Sequence, residues 1–346
     1  MKTREGLAEI ETESDPDFIG PGRAGPSFYN RLQSLNRDIT VLIVSALKPS
    51  HYMDAFGGSG VRGIRIGLET GTESFIAEKN RSSYLAILEN IKNNGLSIAS
   101  YNGDFIRAIR EYQFDFVDLD PYGTVVPYLD ETINFMKKPG YLGITATDLS
   151  ALTGSSQGSL RRRYGSSVKP GLWMHENGIR NLISYVARRA AANDCSITPL
   201  LSFWKGHYYR LFVRLIRGRK GADRMLNYIG RFEMSTVSVK ESDFIGPIWL
   251  GKMNSAEMLN SLSVPDYLKK RDLEILLDRL KNEDRMILFY DTRDLYSGKP
   301  VINSMESVIL AIKDSLDRDV FPTHFSTTGI KTDCKRDDVM KALGMT

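Results

Sequence analysis

The chain is poor in cysteine: Cys195 and Cys334 stand far apart, with no C-x-x-C between them. That pattern argues against a disulfide framework and a cysteine-built zinc site, and it suits a reducing compartment; no zinc is expected. Histidine is nearly as scarce. His51, His175, His207 and His324 are not clustered at metal-ligand spacing, so each is read as a packing or hydrogen-bonding residue and no metal ligand is assigned. Apolar runs are short, V-L-I-V at 41 to 44 being an example, against the roughly 20 residues that a membrane span needs. Met1 is followed by the charged K-T-R-E-G, which does not read as a secretory leader, and a cytoplasmic location is expected. Large net charge is missing too: the formal balance is only +4, too small to define a partner.

What remains is globular in character, with 42% hydrophobic and 25% charged residues. At 346 residues the chain is too long for one ordinary core, and two domains are expected. The positive charge is concentrated in R-R-R-Y-G-S-S-V-K (161 to 169) and K-G-H-Y-Y-R-L-F-V-R-L-I-R-G-R-K (205 to 220), both with aromatics among the bases. Such stretches suit either a solvated basic face or a phosphate backbone with stacking partners.

Residues 1 to 26, rich in Gly, Pro, Asp and Glu, read as an irregular arm, followed by a helix from about Asn30 to Leu47. Strand and helix then alternate. H-Y-M-D-A-F, E-S-F-I-A-E, S-I-A-S-Y-N-G-D, F-D-F-V-D-L and Y-L-G-I-T-A-T read as strands, with helical patterns between them. This alternation implies parallel strands joined by right-handed crossovers, a doubly wound α/β sheet. After an insertion at 149 to 174 and a helix from about His175 to Ala192, two strands joined by K-G read as an antiparallel edge hairpin. Five parallel strands with such a hairpin describe a class I methyltransferase, Rossmann-like sheet better than a dinucleotide-binding one. Residues 1–220 are assigned to this domain, and 221–346, with charged helical stretches and short strands, to a smaller α+β domain.

Candidate chemistry gathers at the ends of the strands. D-A-F-G-G-S-G-V-R-G (54 to 63) begins with Asp54 and carries Gly58, Gly60 and Gly63 in G-x-G-x-x-G, where backbone approaches a ligand at a helix start. Alone it fits a nicotinamide enzyme as well as a methyltransferase. Glu78 ends the second strand, where a carboxylate can accept both hydroxyls of a ribose. Asp104, with Phe105 beside it, follows the third strand and can meet an adenine amine, or simply cap a helix.

The fourth strand ends in D-F-V-D-L-D-P-Y-G (115 to 123). An exocyclic base amine is a poor nucleophile because its lone pair is delocalised, so methylating it calls for an acceptor that binds its N–H and takes the proton. Asp120 can do this, the carbonyl of Pro121 offers a second acceptor, and Tyr122 can stack on an extruded base. D-P-Y-G is equally good turn chemistry in its own right. Asp118 is expected to support Asp120, and Asp115 to be solvated.

The chain resembles the tRNA guanine-26 N2-dimethyltransferase family in blocks along most of its length. They include F-Y-N-R-L-Q-S-L-N-R-D-I (28 to 39), D-A-F-G-G-S-G-V-R-G-I-R (54 to 65), D-L-D-P-Y-G (118 to 123) and T-A-T-D-L-S-A-L-T-G (145 to 154). Others are H-E-N-G-I-R (175 to 180), H-Y-Y-R-L-F-V-R (207 to 214), G-P-I-W-L-G (246 to 251) and T-H-F-S-T-T-G-I-K-T-D (323 to 333). The resemblance implies methyl transfer from S-adenosyl-L-methionine, twice, to one guanine nitrogen of tRNA. It implies that Arg37 and Arg62 hold the cofactor, through its methionine carboxylate, that Glu78 binds its ribose, and that Asp104 and Phe105 meet its adenine. Asp120 is the implied acceptor, with Tyr122 and Phe28 sandwiching the guanine. Glu78 stands where relatives commonly have Asp, and no cysteine precedes G-P-I-W-L-G, where archaeal relatives often bind zinc. The expected partner is tRNA, with no membrane and a monomer favoured. A nicotinamide-dependent oxidoreductase, a DNA or other RNA amino-methyltransferase and a catalytically inactive RNA-binding protein are the rival readings.

Overall fold

The computed structural model describes residues 1–13, 27–268, 270–296 and 304–345. Its first element corrects the expected irregular arm: β1 (Lys2–Glu5) and β2 (Ala8–Glu11) pair as an antiparallel hairpin. Gly6 makes the tight turn at φ +57°, a conformation that side chains rarely adopt. Ala8 and Ile10, two apart, point inward and are fully buried. That alternation beside a glycine was the signal for a hairpin, masked by the polar composition around it. The Gly- and Pro-rich remainder of the expected arm, residues 14–26, lies outside the described residues.

The hairpin is fastened by one acid. Glu5 is buried, accepting from Arg37 Nε at 2.6 Å, Arg65 Nη1 at 2.8 Å and the Tyr29 hydroxyl at 2.9 Å. Burial opposes its charged form, but the two guanidiniums more than offset this and hold its carboxyl down at about 2.

The expected alternation follows as α1 (Ser34–Leu47), β3 (His51–Asp54), α2 (Val61–Thr70), β4 (Glu73–Glu78), α3 (Arg81–Asn93) and β5 (Ala99–Asn102). It continues through α4 (Phe105–Glu111), β6 (Phe116–Leu119), α5 (Leu129–Phe135) and β7 (Gly140–Ala146). In the 149 to 174 insertion, α6 (Leu149–Leu152) and α7 (Gln157–Tyr164) form, before α8 (Met174–Ala192) and the long hairpin of β8 (Cys195–Lys205) and β9 (Tyr208–Arg217). All seven strands from β3 to β9 join one sheet in the order β5-β4-β3-β6-β7-β9-β8. The first five run parallel and the hairpin is antiparallel to β7, as read from the sequence.

Apolar side chains cover both faces, and this reverses part of the reading of the second basic stretch. Tyr208, Tyr209 and Arg210 are fully buried, so those rings are core and not stacking partners for a nucleic acid. Asp115 is likewise not left to solvent. Its carboxylate accepts the amides of Ser50 at 2.9 Å and His51 at 2.7 Å, tying the start of β3 to β6.

Beyond the sheet come α9 (Arg219–Leu226), β10 (Ile229–Glu233), β11 (Phe244–Trp249), α10 (Ala256–Ser261), α11 (Lys270–Leu280), β12 (Tyr290–Asp291) and α12 (Thr292–Leu295). The chain closes with α13 (Met305–Leu316), β13 (Phe321–Pro322), β14 (Gly329–Lys331) and α14 (Arg336–Ala342). This α+β region makes two small antiparallel sheets and packs against α8: Trp173 Nε1 donates to the Phe289 carbonyl at 2.8 Å, and buried Lys331 pairs with Glu176 at 2.8 Å. Among the described residues no helix is long and apolar enough to cross a membrane.

Replacing Glu5 by Gln leaves Arg37 without its carboxylate in a buried site and should cost about 3 kcal/mol, the scale for breaking one side of a buried ion pair. Because the folded state holds the Glu5 carboxyl at about 2 against a usual 4.5, its contribution is present above pH 4.5 and lost as pH falls towards 2. Denaturant melts at pH 7 and pH 3 should therefore show a smaller difference between variant and wild type at the acid end.

Candidate active site

Strand order reverses direction between β3 and β6, and such a switch opens a crevice at the carboxyl edge of a parallel sheet. Asp54 ends β3 and lies in register with Asp118 on β6; Asp120 follows one residue beyond that strand. Three carboxylates thus converge on the junction that the sheet leaves open.

Two arginines make this possible. Arg210 on β9 grips fully buried Asp118 end-on through Nη1 and Nη2, at 2.7 and 2.5 Å, with the Tyr52 hydroxyl adding a bond at 3.1 Å. To do so its guanidinium must cross β7 at Gly143, where a Cβ would sit 2.9 Å from Arg210 Nη2 and 3.1 Å from the Asp118 carboxylate. A glycine there lets two distant strands share one ion pair. Burial opposes ionisation of Asp118, but Arg210 and Arg62 outweigh it and lower its pKa.

Arg62, on α2, is the second arginine. Its Nη1 donates to Asn36 Oδ1 at 3.1 Å and Thr40 Oγ1 at 2.9 Å, and approaches Asp118 at 3.5 Å, while Nη2 pairs with Asp120. Asp54 receives less help. Its Oδ2 accepts the Gly63 amide at 3.2 Å, but its buried Oδ1 makes no hydrogen bond among the described residues. Burial pushes its carboxyl up to about 7; Asp118 and Asp120 add to the shift, and Arg62 and the Phe56 amide oppose it.

A cavity of about 520 Å³ opens on this cluster. Asp54, Gly58, Arg62, Glu78, Asp120, Pro121, Tyr122, Phe28 and Arg37 all line it, so nine positions singled out in the sequence share one space. Glu78 accepts the Gly58 amide at 2.8 Å and the Asn80 amide at 2.7 Å, which fixes its carboxylate beside the glycine-rich turn. Tyr122 is 62% exposed and meets Phe28 edge-on, with ring centroids 5.2 Å apart at 64°. The two rings touch each other, so a base enters between them only when they part.

Asp104 and Phe105 stand behind the cavity lining, Phe105 packing on Phe56, which lines it. Asp104 caps α4, accepting the Ile106 amide at 3.0 Å, and Phe105 is 2% exposed against Phe56 and Tyr128. Neither lines the cavity. Residue type at a strand end decides the position of a backbone, not whether a ring turns outwards, and Phe105 turns into the core.

The sequence model of N2,N2-dimethylguanosine tRNA methyltransferase matches residues 6–344. The chain belongs to this family. A tRNA (guanine(26)-N(2))-dimethyltransferase of Thermoplasma volcanium is 42% identical over 99% of the chain and 98% of its own length. The enzyme of the same name from Thermoplasma acidophilum is 38% identical over 97% and 95%. The structure of Trm1 from Pyrococcus horikoshii with S-adenosyl-L-methionine matches with a TM-score of 0.87 at 29% identity, covering 99% of both chains. The chain shares with that structure a class I methyltransferase fold with a separate C-terminal α+β domain.

Sequence reasoning missed Gln33, Asn36, Thr40 and His207. Gln33 and His207 line the cavity, while Asn36 and Thr40 lie fully buried behind it. The first three lie on one face of the helical segment at a spacing of three and four, a polar stripe through an apolar helix, and that stripe was a readable signal. His207 carried no such mark, being placed by the turn of the edge hairpin.

In the ligand-free protein a carboxyl raised to about 7 costs stability as pH climbs from its usual 3.8 through that value, since ionising it becomes a burden only when folded. Asp54→Asn removes this slope. Thermal melts between pH 4 and pH 8 should show the variant gaining on wild type as pH rises.

Proposed function

We propose that this protein transfers methyl groups from S-adenosyl-L-methionine to the exocyclic N2 of guanosine 26 in tRNA, first one and then a second. The observation that carries this reading is the convergence of Asp120-Pro121-Tyr122 with Glu78 and the glycine-rich turn on one cavity. A nicotinamide enzyme has use for the turn and the acid but none for an acceptor carboxylate followed by proline and an exposed ring.

The residues present suit the cofactor. The buried Oδ1 of Asp54, without a hydrogen bond among the described residues, is an acceptor open to an ammonium group, which would also supply a counter-charge. Arg37 gives one edge to Glu5 and keeps Nη1, which makes no hydrogen bond among the described residues, for a carboxylate. Glu78 spends one lone pair of each oxygen on backbone amides and retains others for the two ribose hydroxyls. S-adenosyl-L-methionine, when bound, supplies a methyl group activated by its sulfonium centre.

The protein's own part is to position the amine and remove a proton. Asp120 accepts an N–H of the guanine amine, draws the lone pair out of the ring and takes the proton as the nitrogen is methylated. The Pro121 carbonyl offers a second acceptor that orients the amine. Tyr122 and Phe28 part to stack on the base, whose extrusion from its helix costs a few kcal/mol. Arg62 holds Asp120 at one oxygen, which aims the carboxylate. After one methylation an N–H remains, so the same acceptor serves the second transfer.

Basic surface at α7 supplies phosphate contacts. Arg161 and Arg162 are exposed on that helix, while Arg163 pairs with Asp148 at 3.3 Å. The Tyr164 hydroxyl bonds Asp148 at 2.8 Å and Thr124 at 2.9 Å, fastening the helix beside the Asp120–Gly123 turn. The C-terminal domain provides further tRNA-binding surface.

Nucleoside mass spectrometry of unmodified tRNA incubated with protein and cofactor should reveal N2-methyl- and N2,N2-dimethylguanosine at position 26; their absence, with cofactor bound, overturns the reading. Asp120→Ala should keep cofactor and tRNA affinity while turnover falls by orders of magnitude. Reversing Arg161 and Arg162 to Glu should weaken tRNA binding and lower the slope of log K against log salt by about 2. Titrations at several salt concentrations measure that slope.

A further inference from the structure

His207 sits at the turn between β8 and β9 and lines the cavity with Asp120, Pro121 and Tyr122. Its protonation can be worked out from the bonds behind it. Arg62 has only donors, so the Asn36 oxygen must face its Nη1, at 3.1 Å. The Asn36 amide nitrogen therefore points the other way, donating to Gln33 Oε1 at 2.8 Å and Thr145 Oγ1 at 3.1 Å. Thr145 Oγ1 also receives Arg210 Nη1 at 3.1 Å and, with two lone pairs, accepts both bonds. With its oxygen committed, Gln33 turns its nitrogen to His207 Nε2 at 3.3 Å. That ring nitrogen is thus an acceptor, and the imidazole proton lies on Nδ1.

Resting on the methyltransferase reading above, we infer that His207 is a specificity residue: the relay Arg62–Asn36–Gln33 locks it as the neutral Nδ1–H form, and that N–H donates to an acceptor atom on the target guanine. His207 Nδ1 makes no hydrogen bond among the described residues, so its donor is available on the ring that lines the cavity. The chemistry is complementary to Asp120. Guanine presents both N–H groups and acceptor atoms on its edges, and a site with carboxylate and carbonyl acceptors alone reads only the first kind. The first methyl removes a donor from the base but no ring acceptor, so this contact is kept by substrate and monomethylated intermediate alike.

Other titratable groups on the cavity are Asp54, Arg37, Arg62, Glu78, Asp120 and Tyr122, and Tyr208 packs its ring against His207 at 5.5 Å. Burial lowers the His207 pKa, with Asp120 pulling weakly the other way, which agrees with a neutral ring at physiological pH.

The tautomer is measurable without turnover. Long-range 1H–15N spectra of the full chain contain four imidazoles, and His207→Asn identifies the one that disappears. The expected state at pH 7 is neutral with the proton on Nδ1; a proton on Nε2, or a charged ring, overturns the relay. In methyl transfer to tRNA, His207→Phe should lose about three- to tenfold in kcat/KM, the range of one neutral hydrogen bond, with cofactor affinity unchanged. His207→Asn, whose amide donates from a similar place, should recover most of that loss. Equal losses in both variants, or none in Phe, defeat the donor role. Gln33→Glu supplies only acceptors, moves the proton to Nε2 and should make activity fall as pH rises through the imidazole range, a dependence that a packing role does not produce. If the wild type fails to methylate tRNA while the Nδ1–H tautomer is observed, it is the methyltransferase reading that fails and not the relay.

Discussion

Asp118 is a carboxylate without contact to water in the middle of a sheet, and the candidate active site depends on the way it is neutralised. Its four stabilising contacts come from β9, α2 and β3. Burying an unpaired carboxylate is prohibitively costly, so these elements are tied into one arrangement before any ligand arrives. Gly143 is the steric condition for it, because any larger residue would stand between Arg210 and Asp118.

The arrangement is also what shapes the chemistry. Three acids meet two arginines, and the shortage of positive charge falls unevenly. Asp118 is fully paired, Asp120 shares Arg62, and Asp54 is left with backbone amides and a raised pKa. An acid that is paired and reachable therefore stands beside one that lacks a counter-charge. The first suits a proton acceptor for a base amine, and the second suits the ammonium end of an amino-acid-bearing cofactor. Arg62 connects the halves: the guanidinium that holds Asp120 also orients Asn36, and through Gln33 it reaches the imidazole of His207.

How much could be read in advance varied with the kind of information each residue carries. Strand ends were legible because parallel strands separated by helices can pack in only one hand, which puts Asp54, Glu78 and Asp120 at one edge whatever the side chains do. Orientation was not. Phe105 follows a strand as expected but turns inward to Phe56 and Tyr128, and the aromatics of H-Y-Y-R are core, since both faces of β9 are covered. The N-terminal hairpin was hidden by its polar composition, although Gly6 between alternating residues marked it.

The sequence by itself determined the order of strands and helices in the main sheet, the sheet class, the family and the acids of the carboxyl edge, since these follow from periodicity and from blocks of residues at fixed spacing. Only the tertiary structure decided which charges pair. Glu5 reaches Arg37 across 32 positions, Asp118 meets Arg210 across 92, and Gln33 meets His207 across 174. Partners so far apart leave no local pattern, because what joins them is the cost of burying a charge or a polar group without a partner.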